Sequence, residues 1–287
     1  VIASRRGFAL PLALWFVVGM ATVTALALDT ARLGHAAARN RMLLQRAAWA
    51  RDACIDLLLL HYDASMPLAG VDSTDLGRAT WCSVEVSDPA TRVNLNIASE
   101  ALLRRLLPSD SISDAVLDWR DADHVTRPVG AEADWYTAAG RPPPRNGPLQ
   151  DVAELQLVRG METADGDSLE AVLTVDGDGR LNAAGAPVAQ LAAVLGVDPP
   201  DLASLEAARL AGWRPSSVVD LIGRLRKEQQ ELLAPLIPEM EAALVFEPVQ
   251  LIVEARGRIG GSALEARARL VAVPLPDRLA VVRRIIW

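Results

Sequence analysis

The chain has 287 residues, a length that suits one large domain or two modest ones. Apolar residues make up 51% and the mean hydropathy is +0.20, which excludes a multi-span membrane protein and fits one apolar segment on a globular body. The formal net charge is −7, and over residues 62–248 there are 15 Arg and Lys against 30 Asp and Glu, so this body repels phosphate backbones and nucleic acid is a poor partner.

The chain opens with a short basic stretch, Arg5-Arg6-Gly7, followed by an uncharged run over residues 8–28. At 1.5 Å per residue this run spans roughly 30 Å, the thickness of a bilayer core. Arg5 and Arg6 place the leader on the cytoplasmic side, although Arg32, Arg39 and Arg41 follow the span with Asp29 the only nearby acid. Ala25 to Leu28 (Ala-Leu-Ala-Leu) has the small-x-small pattern of a secretory cleavage site. Against that reading, one apolar stripe continues through Leu26, Leu33, Ala37, Leu44, Ala47, Cys54 and Leu58. The spacing predicts a single helix from about residue 8 to about residue 61, roughly 80 Å long. The two cysteines, Cys54 and Cys82, have no zinc-site spacing. They pair if the body lies in an oxidising compartment and otherwise stay as buried thiols.

Beyond Pro67 the pattern changes. Residues 80–86 (Thr-Trp-Cys-Ser-Val-Glu-Val) read as a strand, as do 249–255, 263–273 and 279–287, with Gly257, Gly260 and Gly261 between the first two of these later strands. A helix-rich stretch, roughly 98–244, lies between the outer strands. At its entry Val93-Asn94-Leu95-Asn96 before a helix over 99–107 is echoed further on by Leu181-Asn182-Ala183-Ala184 before a helix over 187–195. Asn and Ser suit helix entry, because their side chains accept the orphan N–H bonds of the first turn. Asp118, Asp121, Asp123, Glu132 and Asp134 crowd one loop region, and such carboxylates suit Ca²⁺ or form a solvated acidic surface. Asp151 and Glu154 have the spacing of a capping box, and Asp176-Gly177-Asp178-Gly179 reads as a turn. No nucleophile elbow, phosphate loop or HExxH pattern is present, so nothing supports an enzyme.

Four segments follow one another in a distinctive order. They are Val93-Asn94-Leu95-Asn96-Ile97-Ala98, Asp118-Trp119-Arg120-Asp121-Ala122-Asp123, Gly130-Ala131-Glu132-Ala133-Asp134-Trp135-Tyr136, and Asn146-Gly147-Pro148-Leu149-Gln150-Asp151-Val152-Ala153-Glu154-Leu155. Together they resemble the minor pseudopilin K family of type II secretion systems (general secretion pathway protein K). The resemblance implies an α+β fold: a leader (1–7), a long N-terminal helix with a transmembrane part (8–28) and an extracytoplasmic part (29–61), a pilin-like antiparallel sheet (62–97 and 245–287) and a large inserted α-helical domain (98–244). It implies prepilin peptidase cleavage between Gly7 and Phe8, N-methylation of the new terminus, an inner-membrane anchor with a periplasmic body, and Ca²⁺ in the acidic loop. The implied partners are other minor pseudopilins and the inner-membrane platform, at the tip of a pilus-like assembly. Counted from Phe8, the fifth position is Leu12, where pilin-like families usually carry Glu. The alternative is a membrane-anchored helix-hairpin-helix DNA receptor. Its glycine hairpin is absent, since the corresponding stretch is Leu107-Pro108-Ser109-Asp110.

Overall fold

In the computed structural model, residues 9–63, 70–162 and 165–287 are described; the expected processing point at Gly7 and Phe8 lies outside them. A single helix, α1 (Ala9–His61), runs 53 residues, about 80 Å at the usual rise. Pro11 sits in its first turn, where no intrahelical N–H bond is lost. Its first half is apolar enough to cross a membrane and is not buried by any of the described residues. Its second half packs on a five-stranded antiparallel sheet built from β1 (Gly70–Gly77), β2 (Thr80–Ser87), β7 (Leu251–Ile259), β8 (Glu265–Pro274) and β9 (Leu279–Ile286), in the order β1-β2-β7-β8-β9. The residues between are β3 (Val93–Asn94), α2 (Glu100–Leu106), α3 (Asp110–Arg120), α4 (Ala133–Ala138), α5 (Gly166–Val172), β4 (Leu173–Thr174), β5 (Leu181–Asn182), α6 (Val188–Leu195), α7 (Ala203–Leu210), α8 (Val218–Ile222), α9 (Lys227–Leu233), α10 (Ile237–Ala243) and β6 (Leu244–Val245).

The chain leaves the sheet after β2 and returns at β7, and these two strands lie side by side, with Ser87 opposite Ile252. Everything between them is therefore an insertion at one point of a continuous sheet. One face of the sheet meets α1. Alternate residues Cys82, Val84 and Val86 of β2, Leu251, Val253 and Ala255 of β7, and Ala268, Leu270 and Ala272 of β8 are buried with Ala50, Cys54 and Ile55 of the helix, as the period of two requires. Gly257 extends this row. The residue pattern sets Gly257 among the glycines that separate strands. It lies instead inside β7, where a Cβ would stand 2.0 Å from the Ala47 carbonyl oxygen and 2.6 Å from the Arg51 nitrogen. Cys54 and Cys82 are joined, with Cα atoms 6.0 Å apart, so a covalent bond also holds α1 to β2.

The insertion has a core of its own, running from Val93 and Leu95 to Leu244. Val93 and Leu95 thus pack with the helices, although the sequence pattern groups them with the sheet. Trp119 meets Tyr136 edge-on, ring centroids 5.3 Å apart, and Tyr136 is fully buried. The two asparagine motifs are structurally equivalent. β3 pairs in parallel with β4 and β5 with β6. Asn94 Oδ1 accepts from Asn96 N at 2.8 Å, and Asn182 Oδ1 accepts from Ala184 N at 3.0 Å. The asparagines therefore close turns and do not cap helices; Ser99 and Pro187 occupy the cap positions. The remaining polar atoms of the motif tie distant segments. Asn94 Nδ2 donates to the carbonyls of Asp176 and Gly177, Asn96 exchanges two bonds with Leu149, and Asn182 Nδ2 donates to Asp88. Asp151 caps a 3₁₀ helix over Val152–Leu157, through a bond from Ala153 N at 2.8 Å, where an α-helix is expected from the sequence.

Candidate functional site

The acidic region is built on α3. Ser109 starts that helix by accepting from Ile112 N, and Asp114 and Asp118, one turn apart, are both buried on its inner side. Burial of two carboxylates needs partners. Arg104 reaches Asp114 at 2.6 Å, and Arg127 reaches Asp118 at 2.7 Å and also bonds Asp121. Gly130 lies directly over Asp118, where a Cβ would stand 2.1 Å from Oδ2, so the loop closes on the carboxylate only because this residue has no side chain. Arg120 donates to the carbonyls of Leu95 and Ala98 and so fixes the end of α3 to the first asparagine motif.

Of the five carboxylates expected to form a site, Asp121, Asp123 and Glu132 converge, with one oxygen from each within 4.8 Å of the others. Asp118 and Asp134 do not join them. Arg127 bonds both oxygens of Asp118 but only Oδ2 of Asp121, and Asp134 is exposed in the first turn of α4, where a negative charge favours the helix dipole. Glu132 is 5% exposed, and neither of its carboxylate oxygens has a hydrogen-bond partner. Asp121 Oδ1 is likewise buried without a partner. Burial, then the neighbouring Asp118 and Asp121 charges, push the Glu132 carboxyl above its ordinary range, and burial does the same to Asp118 against the opposing pull of Arg127.

Asn146 belongs beside this cluster and was missed from the sequence. Its backbone is left-handed (φ 51°), its Nδ2 donates to the Asp123 carbonyl at 2.9 Å and to His124 Nδ1 at 2.8 Å, and its Oδ1 is buried without a partner. The Asn-Gly dipeptide at 146–147 is the one local signal for such a turn. The donors are all hard oxygens, and four of them are buried with nothing to bond: Asp121 Oδ1, both Glu132 oxygens and Asn146 Oδ1. That set fits a hard cation such as Ca²⁺.

The second functional surface is the stripe on α1. Above residue 46 its members Ala47 and Cys54 are buried against the sheet. Below, Leu44 is 41% and Leu33 72% exposed among the described residues.

Residues 83–178 match the family model described as type II secretion system (T2SS), protein K. No curated protein matches the sequence. The fold is similar to a chain in the crystal structure of the GspK-GspI-GspJ complex from the enterotoxigenic Escherichia coli type 2 secretion system, with a TM-score of 0.63 at 18% identity, covering 87% of this chain and 99% of that one. Residues 83–178, a third of the chain, are thus similar to the type II secretion system protein K family, and the chain shares the fold of a chain in the GspK-GspI-GspJ complex.

Proposed function

We propose that this chain is a minor pseudopilin that works as a structural part of a type II secretion system. The first half of α1 holds it in the inner membrane with the body in the periplasm. It sits at the tip of the pseudopilus, where it starts or caps the filament together with other minor pseudopilins. The observation that carries this reading is the apolar stripe of α1, which is covered by the sheet above Ala47 and bare below it. Exposed apolar residues at helical spacing, outside the membrane, need the helix of another subunit. The similar fold in a complex of GspK with GspI and GspJ supports partners of that kind. The helical insertion supports the tip position: it would obstruct a repeating place in a thin filament and obstructs nothing at the top. A strain lacking this chain is expected to stop exporting its secreted proteins. The native chain should restore export, and Leu44→Asp should restore little of it while the protein still accumulates. Full export with Leu44→Asp would remove the stripe from the account.

Ca²⁺ belongs to this proposal. Asp121, Asp123 and Glu132 would hold it, with Asn146 adjoining, and the cation would neutralise carboxylates that otherwise repel one another. Saturating Ca²⁺ at about 100 times its Kd stabilises a folded chain by about 2.7 kcal/mol. The full chain stripped with a chelator should therefore melt several degrees higher when Ca²⁺ is returned, and Glu132→Gln should lose that response. The sign with pH follows from the raised Glu132 pKa. Without a cation the folded state holds its proton more tightly than the unfolded state does. The contribution of Glu132 to stability is then greatest below its ordinary value of 4.5 and falls as pH rises through the folded pKa. Identical melting with Ca²⁺ and with chelator would leave a plain acidic loop.

Processing between Gly7 and Phe8 is part of the same reading. The intact mass of the chain from the secreting organism should correspond to a methylated terminus at Phe8. A start after Ala25 or Ala27 would mean an ordinary secretory signal.

A further inference from the structure

The charge of the chain reverses where its apolar run ends. The body over residues 62–248 is strongly acidic, yet α1 just beyond Leu28 carries Arg32, His35, Arg39 and Arg41 against Asp29 alone. Asp29 lies 3.8 Å from Arg32, both highly exposed. Arg39 and Arg41 are exposed and make no hydrogen bond or ion pair among the described residues. Cations on the far side of a span run against the usual distribution, which keeps Arg and Lys on the cytoplasmic side, so they call for an anionic counterpart.

A groove of about 650 Å³ opens between this stretch and the tip of the β7–β8 hairpin, lined among others by Leu28, Arg32, His35, Arg39, Gly261 and Leu264. It is apolar at its foot, by Leu28, and cationic above. The same end of the sheet carries the exposed Arg78 in the β1–β2 turn, Trp81 packed on Gly260, and the exposed Trp287 bonded to Arg267 at the start of β8. Tryptophans flanked by arginines are the usual composition of a protein surface at a membrane interface.

We propose that this groove binds the headgroup of an anionic phospholipid from the leaflet that α1 enters. The proposal rests on the membrane anchorage argued above. Position favours a lipid over an acidic protein surface. Arg32 lies about 6 Å and Arg39 about 16 Å along the axis from Leu28. The headgroup layer on each side of a bilayer is about 5–7 Å thick. Helical side chains lean toward the N-terminus, here toward the membrane, so the Arg32 guanidinium lies within the headgroup layer and that of Arg39 about 10 Å farther out. The apolar foot then meets the start of the acyl chains, Arg32 meets the phosphate and Arg39 adds its field from above.

The full chain, held in a neutral detergent, is titrated with phosphatidylglycerol and with phosphatidylcholine and followed by native mass spectrometry. Phosphatidylglycerol should be retained in clear preference. Arg32→Gln with Arg39→Gln should weaken its retention at least about fivefold, the share of one juxtamembrane cation at the headgroup level. Arg256→Gln, which lines the polar cleft between β7 and the insertion, should change nothing. Equal retention of the two lipids would overturn the proposal and leave these arginines to an acidic protein surface. A preference that survives the double substitution would overturn the groove as its seat. A chain that washes off vesicles of either lipid without detergent would overturn the membrane anchorage and this proposal with it.

Discussion

Gly257→Val is expected to break the docking of α1 on the sheet. The helix backbone passes so close to β7 here that a Cβ would stand 2.0 Å from the Ala47 carbonyl oxygen and 2.6 Å from the Arg51 nitrogen. Neither is the end of a flexible side chain, so relief requires the two backbones to separate. Separation would open the contacts of Ala50, Cys54 and Ile55 with Val84, Val253 and Ala255. Overpacking a core ordinarily costs about 1–3 kcal/mol, and a backbone-to-backbone clash lies at or beyond the top of that range. The helical insertion has its own core, so the loss should fall on one of two melting transitions of the full chain. Gly34→Ala is the control. Nothing lies within 4 Å of a Cβ at Gly34, and Ala in a helix interior is favoured by about 1 kcal/mol. A Gly257→Val chain that melts like the native one would mean that α1 does not lie on β7 at this distance.

Breaking the Cys54–Cys82 bond should cost nearly as much. The bond closes a loop of sequence separation 28. On chain-entropy grounds such a loop is worth about 3–4 kcal/mol, by restricting the unfolded chain. Cys82 stands opposite Gly257 in the strand register, so the covalent link and the close approach lie at neighbouring points of one interface. Cys54→Ser with Cys82→Ser should lower the sheet transition by about 10 °C, taking 2–4 °C per kcal/mol for a domain of this size class. The helical transition should stay where it is. A sheet transition insensitive both to this change and to reductant would show that the two thiols are not joined in solution.

Much of this architecture was legible in the residue pattern, and the exceptions have local causes. The uncharged run and the stripe through Leu33, Ala47 and Cys54 mark α1, because a helix repeats its contacts every three or four residues over a great length. β2, β7 and β8 alternate apolar and polar residues as half-buried strands do, and β9 is marked by its β-branched residues alone. β1 does not: Gly-Val-Asp-Ser-Thr-Asp-Leu-Gly carries no apolar alternation, because an edge strand of this kind is held by its backbone pairing to β2. Strands β3 to β6 have two residues each, too short for any period. Gly257 reads as a turn residue from sequence, since a glycine kept for close approach looks the same as one kept for its backbone freedom.

The acidic site was legible in kind and not in membership. Five carboxylates in one stretch announce a concentration of charge, and sequence spacing cannot tell which of them an arginine engages. Arg127 takes both oxygens of Asp118 but only Oδ2 of Asp121, and the first turn of α4 carries Asp134 outward, which leaves Asp121 Oδ1, Asp123 and Glu132. Asn146 lies 23 residues from Asp123 and joins it through a left-handed turn. Asn146 N also bonds the Trp119 carbonyl at the end of α3, a pairing across the fold that the order of residues does not record.

The central claim is that this chain assembles with other minor pseudopilins through the bare part of α1. The full chain, co-expressed with the two other minor pseudopilins of the same system and purified through a tag on one of them, should elute as a single species containing all three. Its mass by light scattering should equal one copy of each, and Leu33→Asp with Leu44→Asp should leave this chain behind while the other two remain together. A native chain that elutes alone beside the other two, with its sheet and helical transitions both intact, would contradict the account.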